Sequence, residues 1–156
     1  MARVASTRIR QRIDAPRERV YAALVDPEAV ARWKVPAGMT CEVHEFDVRE
    51  GGAVRVSLTY EAADRVGKSR DRADTYRGRF VRLVPDELVV EVDEFETDSA
   101  EMMGEMTTTI SLADADGGTD LVATHDGLPE GLSLADNQAG WQQALRRLRA
   151  LVESSS

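Results

Sequence analysis

The sequence has one cysteine, two histidines and only 5% aromatic residues. A single cysteine, Cys41, excludes an internal disulfide and the zinc sites that are built from paired cysteines, and it is typical of a reducing compartment. No stretch approaches the roughly 20 consecutive apolar residues of a membrane-spanning helix, and the N-terminal residues alternate in polarity instead of forming a signal peptide. We therefore expect a cytoplasmic protein that does not associate with membranes.

Positive charge is also scarce. Lys and Arg number 20 against 28 Asp and Glu, which gives a net charge of −8. Because nucleic-acid binding draws its affinity from clustered basic residues, this balance argues against a nucleic-acid partner. With 156 residues, 42% of them hydrophobic, the chain has the size of one globular domain. We expect that domain to span residues 1–153 and to end in a frayed tail at 154–156.

Common catalytic and metal-binding motifs are missing. The patterns Gly-x-Ser-x-Gly, His-Glu-x-x-His and the glycine fingerprint of dinucleotide-binding proteins do not occur. The acidic stretch 93–98 is expected to be a solvated loop, because two histidines without motif spacing give little support for a metal site. We predict no metal and no cofactor. Enzymatic activity stays open, because a shaped pocket with one acid or base can catalyse a reaction without any of these motifs.

The N-terminal part predicts one strand followed by two short helices. Charged or polar and apolar residues alternate over 8–13, which is typical of a half-buried strand. Pro16 is well placed in the first turn of a helix. Asp26 can then cap a second helix whose first residue is Pro27.

Between Met39 and Asp126 the hydrophobic period changes to two. Turn residues divide this part into six predicted strands, at 39–49, 53–61, 75–84, 88–93, 102–113 and 121–125. Parallel strands would need long crossover connections, and these connections are short. The pattern therefore predicts an antiparallel meander.

A long C-terminal helix completes the order. Ser133 has the spacing of a capping residue relative to Asp136. An apolar stripe at helical spacing follows, formed by Leu134, Gln138, Trp141, Leu145, Leu148 and Val152. A helix with one broad apolar face must cover another surface, and the predicted sheet is the surface available.

Five short strings carry a family resemblance over nearly the whole chain. They are Ile13-Asp14-Ala15-Pro16, Asp26-Pro27-Glu28-Ala29-Val30-Ala31-Arg32-Trp33, Phe46-Asp47-Val48-Arg49-Glu50-Gly51-Gly52, Val84-Pro85-Asp86-Glu87-Leu88-Val89, and Thr124-His125-Asp126-Gly127-Leu128-Pro129 ahead of Gly140-Trp141. With them the chain resembles the START-like (SRPBCC) superfamily and, within it, the family similar to the C-terminal domain of the activator of Hsp90 ATPase. The resemblance implies an α+β helix-grip (START/Bet v 1-like) fold, in which a curved antiparallel sheet wraps around a long C-terminal α-helix and two short helices follow strand 1.

The same resemblance implies a cavity between sheet and helix that accepts apolar or aromatic small molecules. The residues that we expect to line it are Trp33, Tyr60, Tyr76, Met102, Met106, His125, Gln138 and Trp141. Packing into the core is the alternative for the two tryptophans and the two methionines, and a packed or hydrogen-bonded structural role is the alternative for His125. A shift of one residue in strand register would turn Tyr60 or Tyr76 outward. Met102 and Met106 would share one face of the strand predicted at 102–113. His125 is a weak candidate for an acid or base, because the adjacent Asp126 points to the opposite face and cannot easily orient its ring.

Three functions remain open, and fold does not decide among them. The first is a small-molecule binding protein without enzymatic activity. The second is an interaction module or stress-response regulator that associates with an Hsp90-type chaperone. It would use the basic segment that contains Arg65, Lys68, Arg70 and Arg72, for which a solvated hairpin loop is the alternative. The third is an enzyme similar to polyketide cyclases and aromatases. Monomer and homodimer are equally compatible with the sequence.

Overall fold

The computed structural model describes residues 6–35, 38–60 and 73–154. The predicted contact residues Arg65, Lys68, Arg70 and Arg72 lie outside these ranges, and of the predicted tail only Ser154 is described. The elements are β1 (Ser6–Ile13), α1 (Arg17–Leu24), α2 (Pro27–Trp33), β2 (Met39–Phe46), β3 (Ala53–Tyr60), β4 (Ala73–Val84), β5 (Leu88–Phe95), a short 3₁₀ helix (Ala100–Met102), β6 (Met106–Ala115), β7 (Gly118–Asp126) and α3 (Leu134–Ser154).

All seven strands form one antiparallel sheet in the order β1-β7-β6-β5-β4-β3-β2. Strands β2 to β7 are the predicted meander, and β1 pairs with β7 at the far edge. Because β1 and β2 are the two edge strands, α1 and α2 carry the chain from one edge of the curled sheet to the other. α3 packs against the sheet and completes the predicted helix-grip fold, which the structure confirms.

Local capping signals set the helix ends. The Asp26 carboxylate accepts a hydrogen bond from the backbone N–H of Glu28 at 3.1 Å, and Pro27 is the first residue of α2. At the start of α3, the Ser133 hydroxyl accepts from the backbone N–H of Asp136 at 3.2 Å. Both predicted caps are therefore confirmed. They fix where α2 and α3 begin, and the start of α3 borders the pocket described below.

The core lies between α3 and the concave face of the sheet. Its α3 contribution comes from Ala144, Leu145, Leu148 and Val152, all of them buried. The predicted apolar stripe began earlier, at Leu134, but that side chain is 43% exposed. The first turns of α3 border a pocket, so the fully buried part of the stripe begins only at Leu145. None of the helices in the described ranges is long and apolar enough to cross a membrane.

Two local expectations were wrong. Met102 lies in the 3₁₀ helix and Met106 begins β6, so they do not share a strand face. Gly104 lies between them with a φ of 117°, a backbone conformation that residues other than glycine rarely adopt. The acidic stretch 93–98 is not wholly a solvated loop either, because β5 continues to Phe95 and Asp93 is buried.

Candidate functional site

A pocket of about 480 Å³ lies between the concave face of the sheet and the first half of α3. Its wall is largely apolar and aromatic, with contributions from Leu58, Tyr60, Tyr76, Phe95, Met106 and Trp141. A smaller polar set lines the same space, in which Lys34, Asp93, Thr108, His125 and Asn137 carry the groups discussed below. The pocket thus combines a mostly apolar surface with several polar groups.

Five of the eight residues expected to line a cavity border this pocket, namely Tyr60, Tyr76, Met106, His125 and Trp141. Trp33, Met102 and Gln138 do not. Trp33 is buried in the core, where its ring N–H donates to the backbone carbonyl of Ala23 at 3.0 Å. Its ring also contacts Trp141 edge-on, with 6.3 Å between ring centroids. Trp33 therefore supports the pocket wall from behind.

A buried ion pair, Lys34 with Glu91, lies beside the pocket, which Lys34 lines. Lys34 directly follows α2, and its Nζ lies 3.5 Å from Glu91 Oε2, with only 15% and 6% of the two side chains exposed. Burial alone would lower the pKa of Lys34, but the combined effect of Glu91, Tyr76 and Asp93 outweighs it and the pKa is raised. The ammonium also lies 5.4 Å from the ring centre of Tyr76 and 5.5 Å from that of Trp141, within range of cation–π attraction.

A second carboxyl group, that of Asp93, accompanies this pair. Glu91 and Asp93 are two apart on β5 and therefore point to the same face. Burial favours protonation of Glu91, yet the Lys34 ammonium holds its pKa below the ordinary value. Burial and the repulsion of Glu91 raise the pKa of Asp93 well above its ordinary value. The surroundings therefore favour the ionised form of Glu91 and the protonated form of Asp93.

The backbone of β4 leaves room for this acid. Gly78 lies opposite Asp93 in the β4–β5 ladder. A Cβ atom at this position would overlap Asp93 Oδ1 and the backbone carbonyl oxygen of Val92. Glycine is therefore required by close approach rather than by an unusual φ. In the described ranges no group of three or more His, Cys, Asp and Glu side chains is placed to hold a metal ion.

His125 is held in place by a chain of polar contacts from two other elements. Its Nδ1 lies 2.9 Å from the Thr7 hydroxyl on β1, and Asn137 on α3 donates its side-chain N–H to the same hydroxyl at 3.0 Å. The imidazole also lies against Trp141, with 4.3 Å between ring centroids. Burial, together with the positive charge of Lys34, lowers the pKa of His125 to about 4, so the ring is neutral at pH 7. Asn137 thus occupies the place expected for Gln138.

Four buried side-chain atoms have no hydrogen-bond partner among the described residues: Tyr76 Oη, Glu91 Oε2, Asp93 Oδ1 and His125 Nε2. Glu91 Oε2 still has the Lys34 ammonium at 3.5 Å, which is an ion pair too long for a good hydrogen bond. The other three belong to residues that line the pocket. Because buried polar atoms in folded proteins nearly always have a partner, these three unpaired atoms are unusual and set this part of the pocket apart from the core.

Sequence analysis missed five residues of the site, Thr7, Lys34, Glu91, Asp93 and Asn137. One signal was present, since Glu91 and Asp93 alternate with Val90 and Val92 in a strand-like run, and one of the two sets had to face inward. Nothing local favoured the acidic set. The other three are ordinary surface residue types when the sequence is taken alone.

The outer face of the sheet carries another polar arrangement. His44 Nε2 lies 2.8 Å from the Ser57 hydroxyl, and His44 Nδ1 lies 3.4 Å from Glu42 Oε2. A serine hydroxyl that contacts a histidine, which in turn contacts a carboxylate, is the arrangement of nucleophile, base and acid in many hydrolases. However, Ser57 lies in β3 between β2 and β4, where backbone N–H groups are engaged in the ladders and are not free to stabilise an oxyanion. We therefore assign these residues no catalytic role.

Comparison with known proteins identifies relatives of the whole chain. The family model described as "Activator of Hsp90 ATPase homolog 1-like protein" matches residues 14–153. A crystal structure of a protein from Chromobacterium violaceum is 38% identical, with a TM-score of 0.86 over 95% of this chain and 96% of that one. Structures from Rhodobacter sphaeroides (19% identical, TM-score 0.75, 99% of each chain) and Arthrobacter aurescens (16% identical, TM-score 0.80, 97% of this chain and 87% of that one) share the fold.

No functionally curated protein matches the chain significantly. Family membership therefore rests on the family model and on the 38% identical structure, both of which span nearly the entire sequence. The resemblance drawn from the short strings around Asp26, Gly51 and His125 agrees with both. The chain belongs to the activator of Hsp90 ATPase homolog 1-like family of START-like domains.

Proposed function

We propose that the protein binds an apolar or aromatic small molecule in the pocket between the sheet and α3. The observation that carries the proposal is the set of buried atoms without partners, Tyr76 Oη, Asp93 Oδ1 and His125 Nε2, in residues that line an otherwise mostly apolar space. The volume of about 480 Å³ falls within the roughly 300–1,000 Å³ of small-molecule sites. The apolar wall would supply affinity, and the polar atoms would orient the ligand.

Binding is favoured over catalysis by the state of the polar groups. A histidine with a pKa of about 4 is a weak general base at neutral pH. Lys34 is protonated and paired with Glu91, which leaves it without the free amine that a nucleophile needs. A reaction of the cyclase kind with His125 as acid or base is accordingly the less favoured function.

A released ligand and a pair of methionine variants test the proposal. Native mass spectrometry of the purified protein, followed by denaturation, would detect a small molecule carried through purification. Binding of naphthalene, measured by calorimetry, should weaken at least tenfold in Met106→Glu, because the change places a charge in the apolar wall. Met103→Glu is the matched control, since Met103 is 53% exposed and does not line the pocket. Equal affinities in the two variants would contradict the pocket assignment.

The family description makes an Hsp90-type chaperone a second candidate partner. The basic segment that contains Arg70 and Arg72 offers positive charge on a chain whose net charge is −8. If this segment is the contact surface, the wild-type protein should stimulate the ATPase of an Hsp90-type chaperone and Arg70→Glu/Arg72→Glu should abolish the stimulation. A wild-type protein that leaves the ATPase rate unchanged would remove this candidate.

A further inference from the structure

We propose that the ligand of this pocket carries an uncharged carbonyl oxygen, which accepts a hydrogen bond from the Nε2–H of His125. The proposal rests on the proposed small-molecule binding and adds the class of compound, an aromatic or apolar ketone or aldehyde. It also assigns His125 as the residue that determines specificity, with Thr7 and Asn137 as positioning residues.

The hydrogen bonds that run from Asn137 on α3 through Thr7 to His125, called the polar chain below, fix the tautomer of His125. Asn137 donates its amide N–H to the Thr7 hydroxyl at 3.0 Å. The hydroxyl oxygen can accept twice, but its own proton needs an acceptor, and among the described residues that it contacts only His125 Nδ1, 2.9 Å away, can accept. The Thr7 proton is therefore directed to Nδ1. A neutral imidazole has one N–H, and when Nδ1 accepts, the proton resides on Nε2. Nε2 is therefore a donor.

This donor is buried and unpaired. His125 is 2% exposed, and its Nε2 has no hydrogen-bond partner among the described residues. The Trp141 ring and the contact with Thr7 prevent the imidazole from turning its N–H to another partner. A buried donor without a partner is unfavourable, so a ligand acceptor at this point gains more than a solvent-exposed hydrogen bond would.

The neighbouring charges favour an acceptor that is neutral. The Lys34 charge acts on His125 and opposes a second cation beside it, and an ammonium group has no lone pair with which to accept from Nε2–H. Lys34 is also the one basic residue among the described residues that line the pocket, and Glu91 already balances its charge, so a buried anionic ligand would lack a counter-ion. A pure hydrocarbon would leave the His125 donor unpaired. A carbonyl compound meets all three conditions.

Three probes of nearly the same shape separate these possibilities. 2-Acetylnaphthalene carries the carbonyl, 2-isopropenylnaphthalene replaces the carbonyl oxygen by a methylene group, and 1-(2-naphthyl)ethylamine carries an ammonium group. We expect calorimetry on the wild-type protein at pH 7 to give roughly tenfold tighter binding of the ketone than of the alkene, with the amine weakest. The ratio between ketone and alkene isolates the hydrogen bond, because the apolar contacts of the two probes are alike.

Matched variants test whether the ratio of ketone to alkene affinity depends on the polar chain. His125→Leu should bring the ratio of ketone to alkene affinity close to one while the alkene still binds. Asn137→Leu should reduce the ratio, because the Thr7 hydroxyl no longer needs to donate to His125. Gln138→Leu, the adjacent change at a residue that does not line the pocket, should leave it unchanged. The tautomer itself is measurable by nitrogen-15 NMR of the imidazole in the wild-type protein, with His44→Gln used to assign the two histidines.

Several results would overturn the inference. Equal binding of all three probes, or tightest binding of the amine, would refute the carbonyl assignment while the proposed small-molecule binding stands. An NMR spectrum in which Nδ1 carries the proton would refute the donor role of His125. No binding of any of the three probes up to their solubility limits would refute the proposed function together with this inference.

Discussion

Replacing Lys34 by methionine should be among the most destabilising single changes in the protein. The Lys34 ammonium lies 3.5 Å from Glu91 Oε2 in a buried position, and at an effective dielectric constant of about 20 this attraction amounts to about 5 kcal/mol. Without it, Glu91 must stay ionised and unpaired beside Asp93, or take up a proton at pH 7, which costs about 4 kcal/mol for an ordinary glutamate. We expect Lys34→Met to lower the free energy of unfolding by about 3–5 kcal/mol, as for other broken buried ion pairs.

Urea denaturation followed by far-UV circular dichroism measures this change. Arg77→Met is the matched control, because Arg77 Nε lies 3.4 Å from Glu94 Oε1, almost the same separation, but the two side chains are 64% and 40% exposed. Solvent screening should keep its cost below about 1 kcal/mol. The double variant Lys34→Met/Glu91→Gln should recover at least half of the loss, because a neutral amide needs no counter-ion. Equal costs for Lys34→Met and Arg77→Met, or no recovery in the double variant, would refute the reasoning.

Three further changes test other parts of the structure by the same denaturation assay. The folded-state pKa of His125, about 4, lies below the ordinary 6.5, so its contribution to stability is complete above pH 6.5 and is lost as the pH falls towards 4. Wild type should accordingly lose up to about 3 kcal/mol relative to His125→Gln between pH 7 and 4, and parallel curves would contradict the assigned burial. Gly78→Ala should lower the free energy of unfolding by about 1–3 kcal/mol or more, because the added Cβ meets Asp93 and the β5 backbone. An unchanged free energy of unfolding would mean that β4 and β5 do not approach each other so closely. Asp26→Ala should cost about 0.5–2 kcal/mol through the lost cap of α2, whereas Asp26→Asn should be nearly neutral.

The order of elements was predictable because each signal is local. The Asp26 and Ser133 caps depend on residues only two or three positions apart, and both were found where the sequence placed them. The period-two runs gave six strands in the predicted order, although the strand predicted at 102–113 begins only at Met106. Trp141 reached the pocket wall for the same reason, since helical spacing placed it on the inward face of α3. The closure of the sheet by β1 could be expected only from the family resemblance.

The inward face of β5 was not predictable, because its stabilising partner is distant in sequence. Alternation alone would bury Val90 and Val92, yet both are only half-buried, while Glu91 and Asp93 face the interior. A shift of one residue in the register of a strand turns every one of its side chains to the other face of the sheet. What stabilises the acidic face is Lys34, which follows α2, and no pattern within β5 could indicate a cation supplied by another element.

The choice between Asn137 and Gln138 has a similar cause. Successive helical residues are separated by about 100° around the axis, so an error of one position moves a side chain from the pocket to its margin. Asn137 makes the contact because it meets Thr7, and Thr7 is inward-facing only because β1 pairs with β7 so that Thr7 lies opposite His125. The polar chain therefore depends on two long-range contacts, between α3 and β1 and between β1 and β7. The sequence around Asn137 or Thr7 gives no sign of either contact.

The polar cluster is better explained by binding than by stability. Buried ion pairs are often no more stabilising than apolar side chains of similar volume, and buried polar atoms without partners are unfavourable. Both features occur together at the pocket, in Lys34, Glu91, Asp93 and His125, whereas the α3 contribution to the core is entirely apolar. A sequence selected only for folding would have no reason to concentrate these costs in one region. Their concentration beside the pocket agrees with the proposed binding of a partly polar ligand, which would supply the hydrogen-bond partners that the protein lacks.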